Sequence, residues 1–140
     1  MDTRNCIYCQ GGKRLTDLMI EIGPVGPMKL FLFRNQSYRG RCVLAWPTHV
    51  EEVFQLKPDE RVEFVEAVGR TASALKRAFG ADKINYGIFG DTMPHLHVHV
   101  VPKFDHAAGW GKPFEMNPQP GQFLTEAGYE AVIELVRNHL

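Results

Sequence analysis

The chain has 140 residues, of which 44% are hydrophobic and 23% charged, with 16 basic and 16 acidic side chains and a formal net charge of zero. This is the make-up of one globular domain over residues 1–140. Nothing in this balance of charge suggests a broad basic face for nucleic acid or an anionic membrane, although a local anion site remains open. No apolar run approaches the ~18 residues of a membrane span. The opening MDTRNCIYC lacks the apolar stretch of a signal peptide. Three cysteines, an odd count, with no secretion signal fit a reducing compartment, so a cytoplasmic location is expected.

Residues 16–22 (TDLMIEI) and 28–33 (MKLFLF) read as extended segments, and GPVGP between them carries turn chemistry. RCVLAW at 41–46 reads as a third strand after the turn RNQSYRG. Residues 58–79 form the clearest helix: Pro58 suits the first helical position, and Asp59 and Glu60 suit the positive end of the dipole. Val62, Val65, Val68, Ala72, Leu75 and Phe79 recur at helical spacing and predict one apolar stripe, with Gly80 as the stop. INYGIFG and HLHVHVV read as two more strands, and Pro102 is expected to close the second. The Gly/Pro/Asn-rich stretch 103–123 reads as a long surface loop. Thr125 is positioned to cap a final helix whose apolar side is Tyr129, Val132, Ile133, Val136 and Leu140. The expected fold is α+β: a mostly antiparallel sheet with a long helix and a C-terminal helix.

Three of the six histidines, His95, His97 and His99, stand at alternate positions of MPHLHVHVVPK. In a strand, alternate side chains share a face, so the imidazoles line one side and Leu96, Val98 and Val100 the other. Imidazoles are poor core filler, because each brings polar nitrogens that must be satisfied if buried. A solvent-facing, merely His-rich strand is the bland reading. The sharper ones are a metal site or a nucleophile with helpers. A neutral imidazole attacks phosphorus when a hydrogen bond from one ring nitrogen leaves the other unprotonated, and a strand supplies carbonyls for that.

HLHVHVV resembles the signature of the histidine triad (HIT) family of nucleotide hydrolases and transferases, in which three histidines alternate with apolar residues. NYGIFGDTMP is similar to the loop that leads into that triad. VLAWPTHVEEV is similar to the upstream strand and its His-containing turn, and CIYC resembles a zinc-bearing subset. The resemblance implies that His97 attacks the α-phosphorus of a nucleotide, purine by expectation, and that a covalent nucleotidyl-histidine is then hydrolysed. It implies that His99 binds the phosphoryl group or assists the leaving group, that Thr92 and Asp91 lie near the phosphate, and that Asn85 touches the phosphate or the bridging atom. It makes Asn35 a candidate for the ribose hydroxyls and Phe33 one for the base pocket. Trp110, Phe114 and Glu115 fall in a segment that helps choose the leaving group. Asp91 departs from the family pattern, which has an uncharged amide there; a carboxylate beside a phosphate is repelled unless neutralised. Lys103 stands where Arg is common, which removes a bidentate fork.

Cys6 and Cys9 have the spacing of half a tetrahedral zinc site. Cys42, His49, His95, His106 and His139 are the remaining candidates for its completion. The resemblance selects Cys6, Cys9, His49 and His95, a closed and therefore structural zinc shell. It also implies a homodimer with a sheet continued across the interface. It leans toward dinucleoside polyphosphates as substrates, with phosphoramidates also possible. Two other functions remain open: a zinc-stabilised nucleotide-binding regulatory protein with little turnover, and a metallohydrolase using the triad as ligands. The second is disfavoured because alternate strand residues project in parallel.

Overall fold

The computed structural model describes residues 2–140. Five strands form one antiparallel sheet: β1 (Met19–Val25), β2 (Met28–Phe33), β3 (Cys42–Ala45), β4 (Lys83–Gly87) and β5 (His97–Lys103). Their spatial order is β1-β2-β3-β5-β4, so β5 is interior and β4 is an edge. Two short helices, α1 (Ile7–Gln10) and α2 (Lys13–Thr16), precede the sheet. The long helix α3 (Pro58–Phe79) joins β3 to β4, and α4 (Glu126–Arg137) ends the chain.

The α+β expectation holds, and both long helices begin where their capping residues predict. Pro58 opens α3, and the Glu60 carboxylate accepts from the Lys57 backbone N–H. Gly80 ends α3 in the left-handed region at φ 64°. Thr125 Oγ1 accepts from Gly128 N and caps α4, which buries Tyr129, Val132, Ile133 and Val136.

One face of the sheet packs on α3 and α4. Leu30, Leu32, Leu44, Leu96, Val98 and Val100 point there, together with Phe64 and Leu75 of α3. The opposite face carries a smaller cluster of Ile7, Met19, Phe31, Val43 and Ala45, with Tyr8 and Met93 against it.

Three local expectations are corrected. The buried stripe of α3 is Phe64, Ala67, Thr71, Ala72, Ala74 and Leu75, whereas Val62 and Val65 are 62% and 64% exposed. Two stripes at helical spacing compete in the first turns of this helix. Phe64 wins because its larger ring packs on Trp46, with centroids 6.4 Å apart. Second, β1 runs through Gly23 and Pro24 to Val25, so the turn shrinks to Gly26 and Pro27, and the pairing shifts register between Glu21 and Gly23. Third, Pro102 lies within β5 opposite Ile84. The β3 ladder has already ended at Cys42 opposite Val100, so no partner there needs the N–H that proline lacks.

Candidate active site and metal centre

The interior position of β5 puts His97 opposite Ala45, and His99 opposite Val43 on one side and Gly87 on the other. Both rings therefore stand on the face away from α3. The three imidazoles have partners that separate their roles.

His95 precedes β5. Its Nε2–H donates to the Trp46 carbonyl at 2.8 Å, which leaves the Nδ1 lone pair free. That Nδ1 lies 3.3 Å from Cys6 Sγ, 3.6 Å from Cys9 Sγ and 3.3 Å from His49 Nδ1, and Cys9 Sγ lies 3.3 Å from His49 Nδ1. A tetrahedral zinc with ordinary bond lengths holds an N–N pair about 3.3 Å apart and an S–N pair about 3.6 Å apart. Four of the six donor pairs thus already stand within a few tenths of an ångström of a tetrahedral shell, and all four donors lie within 4.8 Å of one another. The carbonyl behind His95 is the kind of outer partner that fixes a ligand's tautomer. The sequence reading that grouped Cys6, Cys9, His49 and His95 is matched by this cluster. α1 winds the CIYC segment through one helical turn and brings both sulfurs to the same side.

His97 Nδ1–H donates to the backbone carbonyl of His95. A carbonyl only accepts, so the proton is on Nδ1 and the Nε2 lone pair is free. Burial lowers the His97 pKa and outweighs the opposing hydrogen bond, which keeps the ring neutral at pH 7.

His99 has the opposite tautomer. Arg41 Nη2 lies 3.2 Å from His99 Nδ1, and an arginine only donates, so Nδ1 is the acceptor and Nε2 carries the proton. Burial first, then Arg41 and His97, lower the His99 pKa to about 3. Phe33 and Phe114 stand edge-on and tilted to the ring at 6.0 and 5.9 Å, with Phe89 at 6.4 Å. Gly87 makes this possible: a Cβ there would sit 2.6 Å from Phe89 and 2.8 Å from Phe114. Neither Nε2, of His97 or of His99, has a partner among the described residues. Neither is sealed from water either, since the sealed, unpartnered side-chain N/O atoms among the described residues are Arg41 Nε and Thr71 Oγ1.

The neutral state of His99 has a consequence for stability. An unfolded histidine takes up its proton near pH 6.5, whereas the folded one resists until about pH 3. The unfolded state therefore binds more protons across that interval. The contribution of His99 is complete above pH 6.5 and is lost as pH falls toward 3, at up to about 1.4 kcal/mol per pH unit. Urea unfolding at pH 7.5 and 5.0 should show a smaller acid loss in His99→Gln than in the parent; an equal loss would refute the assignment.

The remaining candidates are placed as follows. Phe33 lies on the triad face, with the Arg41 guanidinium 4.1 Å above its ring. Asn85 Oδ1 accepts from Phe114 N at 3.2 Å and from Lys103 Nζ at 3.4 Å, so its oxygen holds the loop. Asn35 Oδ1 accepts from Ser37 N, Ser37 Oγ and Gln122 N, and its amide donates to the Pro118 carbonyl at 3.5 Å. Thr92 and Asp91 are exposed on the bend before the triad. Lys103 is buried, and its ammonium donates to the Gly109 and Lys112 carbonyls at 3.1 and 2.6 Å, so it is an anchor for the loop. The loop and β4 enclose a groove of about 590 Å³ lined by Asn85, Phe89, Lys103, Trp110 and Phe114.

Sequence reasoning missed two residues. Tyr8, between the cysteines, packs against His95 and His97 at 5.0 and 5.1 Å. Arg41 is fully buried at the head of β3. Its only signal was a charge at the start of an otherwise apolar strand.

An antiparallel sheet bearing alternate imidazoles with fixed, opposed tautomers, beside a two-cysteine, two-histidine cluster, defines a histidine-triad architecture. The HIT domain model matches residues 28–106, over half of the chain, and the chain belongs to that family. It is 24% identical over 120 residues to Protein hit of Bacillus subtilis, covering 76% of this chain and 77% of that protein. A shorter match, 30% over 59 residues, covers 39% of this chain and 32% of the asymmetrical bis(5'-nucleosyl)-tetraphosphatase of Schizosaccharomyces pombe. Among solved structures, a histidine triad protein of Sinorhizobium meliloti superposes with a TM-score of 0.81 at 26% identity, covering 91% of this chain and 93% of that one. A Zn-bound histidine triad family protein of Mycobacterium smegmatis superposes with a TM-score of 0.66 at 20% identity, covering 99% and 94%. Among the described residues no helix is long and apolar enough to cross a membrane.

Proposed function

We propose that this protein is a nucleotidyl hydrolase or transferase that releases a nucleoside monophosphate through a covalent intermediate on His97. The observation that carries this reading is the hydrogen bond from His97 Nδ1–H to the His95 carbonyl, which leaves Nε2 as a neutral nucleophile. Nε2 attacks the α-phosphorus, forming an N–P bond as the bond to the leaving group breaks. The departing group takes the electron pair and, where its basicity requires one, a proton from water, since neutral His99 keeps its own. Water then cleaves the N–P bond and restores the imidazole. His99 Nε2–H donates to a phosphate oxygen or to the leaving atom, and Thr92 closes on the phosphate from the exposed bend.

The groove beside His99 receives the leaving group, with Trp110 and Phe114 as its aromatic wall. Phe33 borders the base, purine in this proposal. Asn85 has an amide left to donate to the phosphate chain. The Asn35 oxygen is already occupied, so its part is to hold the loop beside the ribose. Asp91 is accommodated because it faces solvent. Dinucleoside polyphosphates are the favoured substrates, supported by the tetraphosphatase match, with phosphoramidates second.

The donor geometry supports a structural zinc on Cys6, Cys9, His49 and His95, as does the Zn-bound relative. Four protein ligands leave no open position, so the metal would fix the N-terminal segment on the triad strand. None of the three cysteines is in a disulfide among the described residues, which fits a reducing cytoplasm.

The second edge of the sheet supports a homodimer. β1 is blunted by Gly23 and Pro24, whereas β4 presents an unpaired rim flanked by Tyr86 and Phe89, each 55% exposed. Pairing of β4 with a second copy would continue the sheet. Light scattering on a sizing column should give twice the chain mass at micromolar concentration; a monomer there would sink this part.

The functional test is a product profile. Diadenosine tetraphosphate and adenosine phosphoramidate are each incubated with the protein, and AMP is measured by HPLC. AMP from either supports the reading. Nucleotide binding without AMP would favour a zinc-stabilised nucleotide-binding regulatory protein.

A further inference from the structure

Arg41 is the least expected side chain in the molecule. It is fully buried, and no carboxylate lies within ion-pairing distance of it among the described residues. Lysines and arginines are almost never buried unpaired. What surrounds this one is instead a set of neutral acceptors. Nη1 donates to the Met116 carbonyl at 2.8 Å, and Nη2 lies 3.2 Å from His99 Nδ1 and 3.1 Å from Met116 Sδ. The guanidinium stacks over Phe33 at 4.1 Å and over Phe114 at 5.2 Å. Its Nε–H has no acceptor. Five donors in a rigid plane thus spend one on a ring nitrogen and leave another unmade.

Such an arrangement costs free energy that a methionine or leucine would not, so packing alone does not account for it. Its effect on His99 is specific. An arginine cannot accept, so the only tautomer compatible with the contact has the lone pair on Nδ1 and the proton on Nε2. The adjacent positive charge also opposes any second proton on that ring.

We propose that Arg41 is a positioning residue that locks His99 as a neutral Nε2–H donor aimed at the reacting phosphate. This deepens the function proposed above and rests on it for its catalytic consequence, though not for its structural one. The lock matters because the neighbouring His97 needs the reverse tautomer. Two imidazoles 5.4 Å apart on one strand must differ in which nitrogen carries the proton. The His95 carbonyl sets one, and Arg41 sets the other. Without Arg41, His99 is free to present an Nε2 lone pair to an anionic phosphate, which repels it, or to protonate.

The titratable or charged groups facing His99 are few. They are His97 on the same strand and Arg41 at the head of β3. The other neighbours, Phe33 from β2, Val43 and Gly87 from the flanking strands, and Phe89 and Phe114 from the loops, carry none. A change in His99 titration on replacing Arg41 therefore reports on Arg41 itself.

The test uses the full chain with its native metal content, ring-labelled with 15N at histidine, as wild type, Arg41→Met and Arg41→Lys. Long-range 1H–15N spectra read the tautomer of each ring directly. In the wild type, His99 should be a single Nε2–H tautomer that resists protonation on acidification. Arg41→Met should show a tautomer mixture and a titration midpoint raised toward the ordinary histidine range, with His97 still protonated on Nδ1. Arg41→Lys keeps a cationic donor and should retain the single tautomer, so it carries the test if the methionine variant does not fold: a mixture in the lysine variant would then count against the lock. An unchanged His99 tautomer in Arg41→Met would overturn the proposal. Where AMP release is measurable, Arg41→Met should lower kcat by about 100-fold, the scale of a lost hydrogen-bond donor to the transition state, with KM changed less and a new loss of rate below pH 6.5. An unchanged kcat and pH profile would remove the catalytic role. Absence of AMP release in the wild type would defeat the proposed function while the spectra still decide the tautomer.

Discussion

His97→Ala is expected to lower AMP release by at least about 10⁴-fold, the scale seen when a covalent nucleophile is removed. Nucleotide affinity should change only a few-fold, because the ring contributes its lone pair rather than the pocket wall. The groove residues Phe89, Trp110 and Phe114 and the donor His99 stay in place. Single-turnover HPLC assays give the first quantity and calorimetry with a non-hydrolysable analogue the second. In the wild type, rapid acid-free quenching and intact-mass measurement should capture a chain carrying one nucleoside monophosphate. Release that persists in His97→Ala would mean that another group, or an activated water, attacks phosphorus, and the tautomer argument for His97 would lose its functional meaning.

The second large effect concerns the metal. Elemental analysis should find one zinc per chain, and Cys6→Ser should abolish it. Stripping such a metal would remove a crosslink between the CIYC turn, the His49 turn and the start of β5. Zinc binding in small domains is worth many kcal/mol, but this chain also has a large core, so a loss of about 3–5 kcal/mol is expected. For a domain of this size that lowers Tm by roughly 10–20 °C. Cys42→Ser is the control: Cys42 is fully buried in β3, away from the cluster, and should keep its zinc. Equal zinc in wild type and Cys6→Ser would refute the ligand set. The position of Tyr8 adds a link to the triad. Its ring packs on both His95 and His97, so displacement of the N-terminal segment on loss of a metal would also uncover His97. The two-cysteine, two-histidine cluster and the triad are thereby joined by one aromatic residue.

Much of this protein is determined by local sequence. Pro58, Glu60 and Gly80 set the ends of α3, and Thr125 sets the start of α4, because capping depends on groups within one helical turn. The alternation of His95, His97 and His99 puts them on one side of an extended segment for a reason that needs no neighbour, the two-residue period of a strand. The grouping of Cys6, Cys9, His49 and His95 came from family resemblance, and the tertiary structure brings those four donors together.

What the tertiary structure alone decided depends on partners far along the chain. The core-facing side of α3 is chosen by Trp46 meeting Phe64, since the Val62 and Phe64 stripes are equally periodic. Pro102 is tolerated inside β5 because the β3 ladder stops two residues earlier, at Val100. The oxygens of Asn35 and Asn85 and the ammonium of Lys103 also come to anchor a loop whose carbonyls and amides arrive from residues 109–122. Arg41 is the clearest case. Nothing within its own segment marks it as buried, because its acceptors, Met116 and His99, and its aromatic neighbour Phe114 lie 58 to 75 residues away in sequence. A tautomer is a property of such a partner, and partners of this kind exist only once the chain has folded.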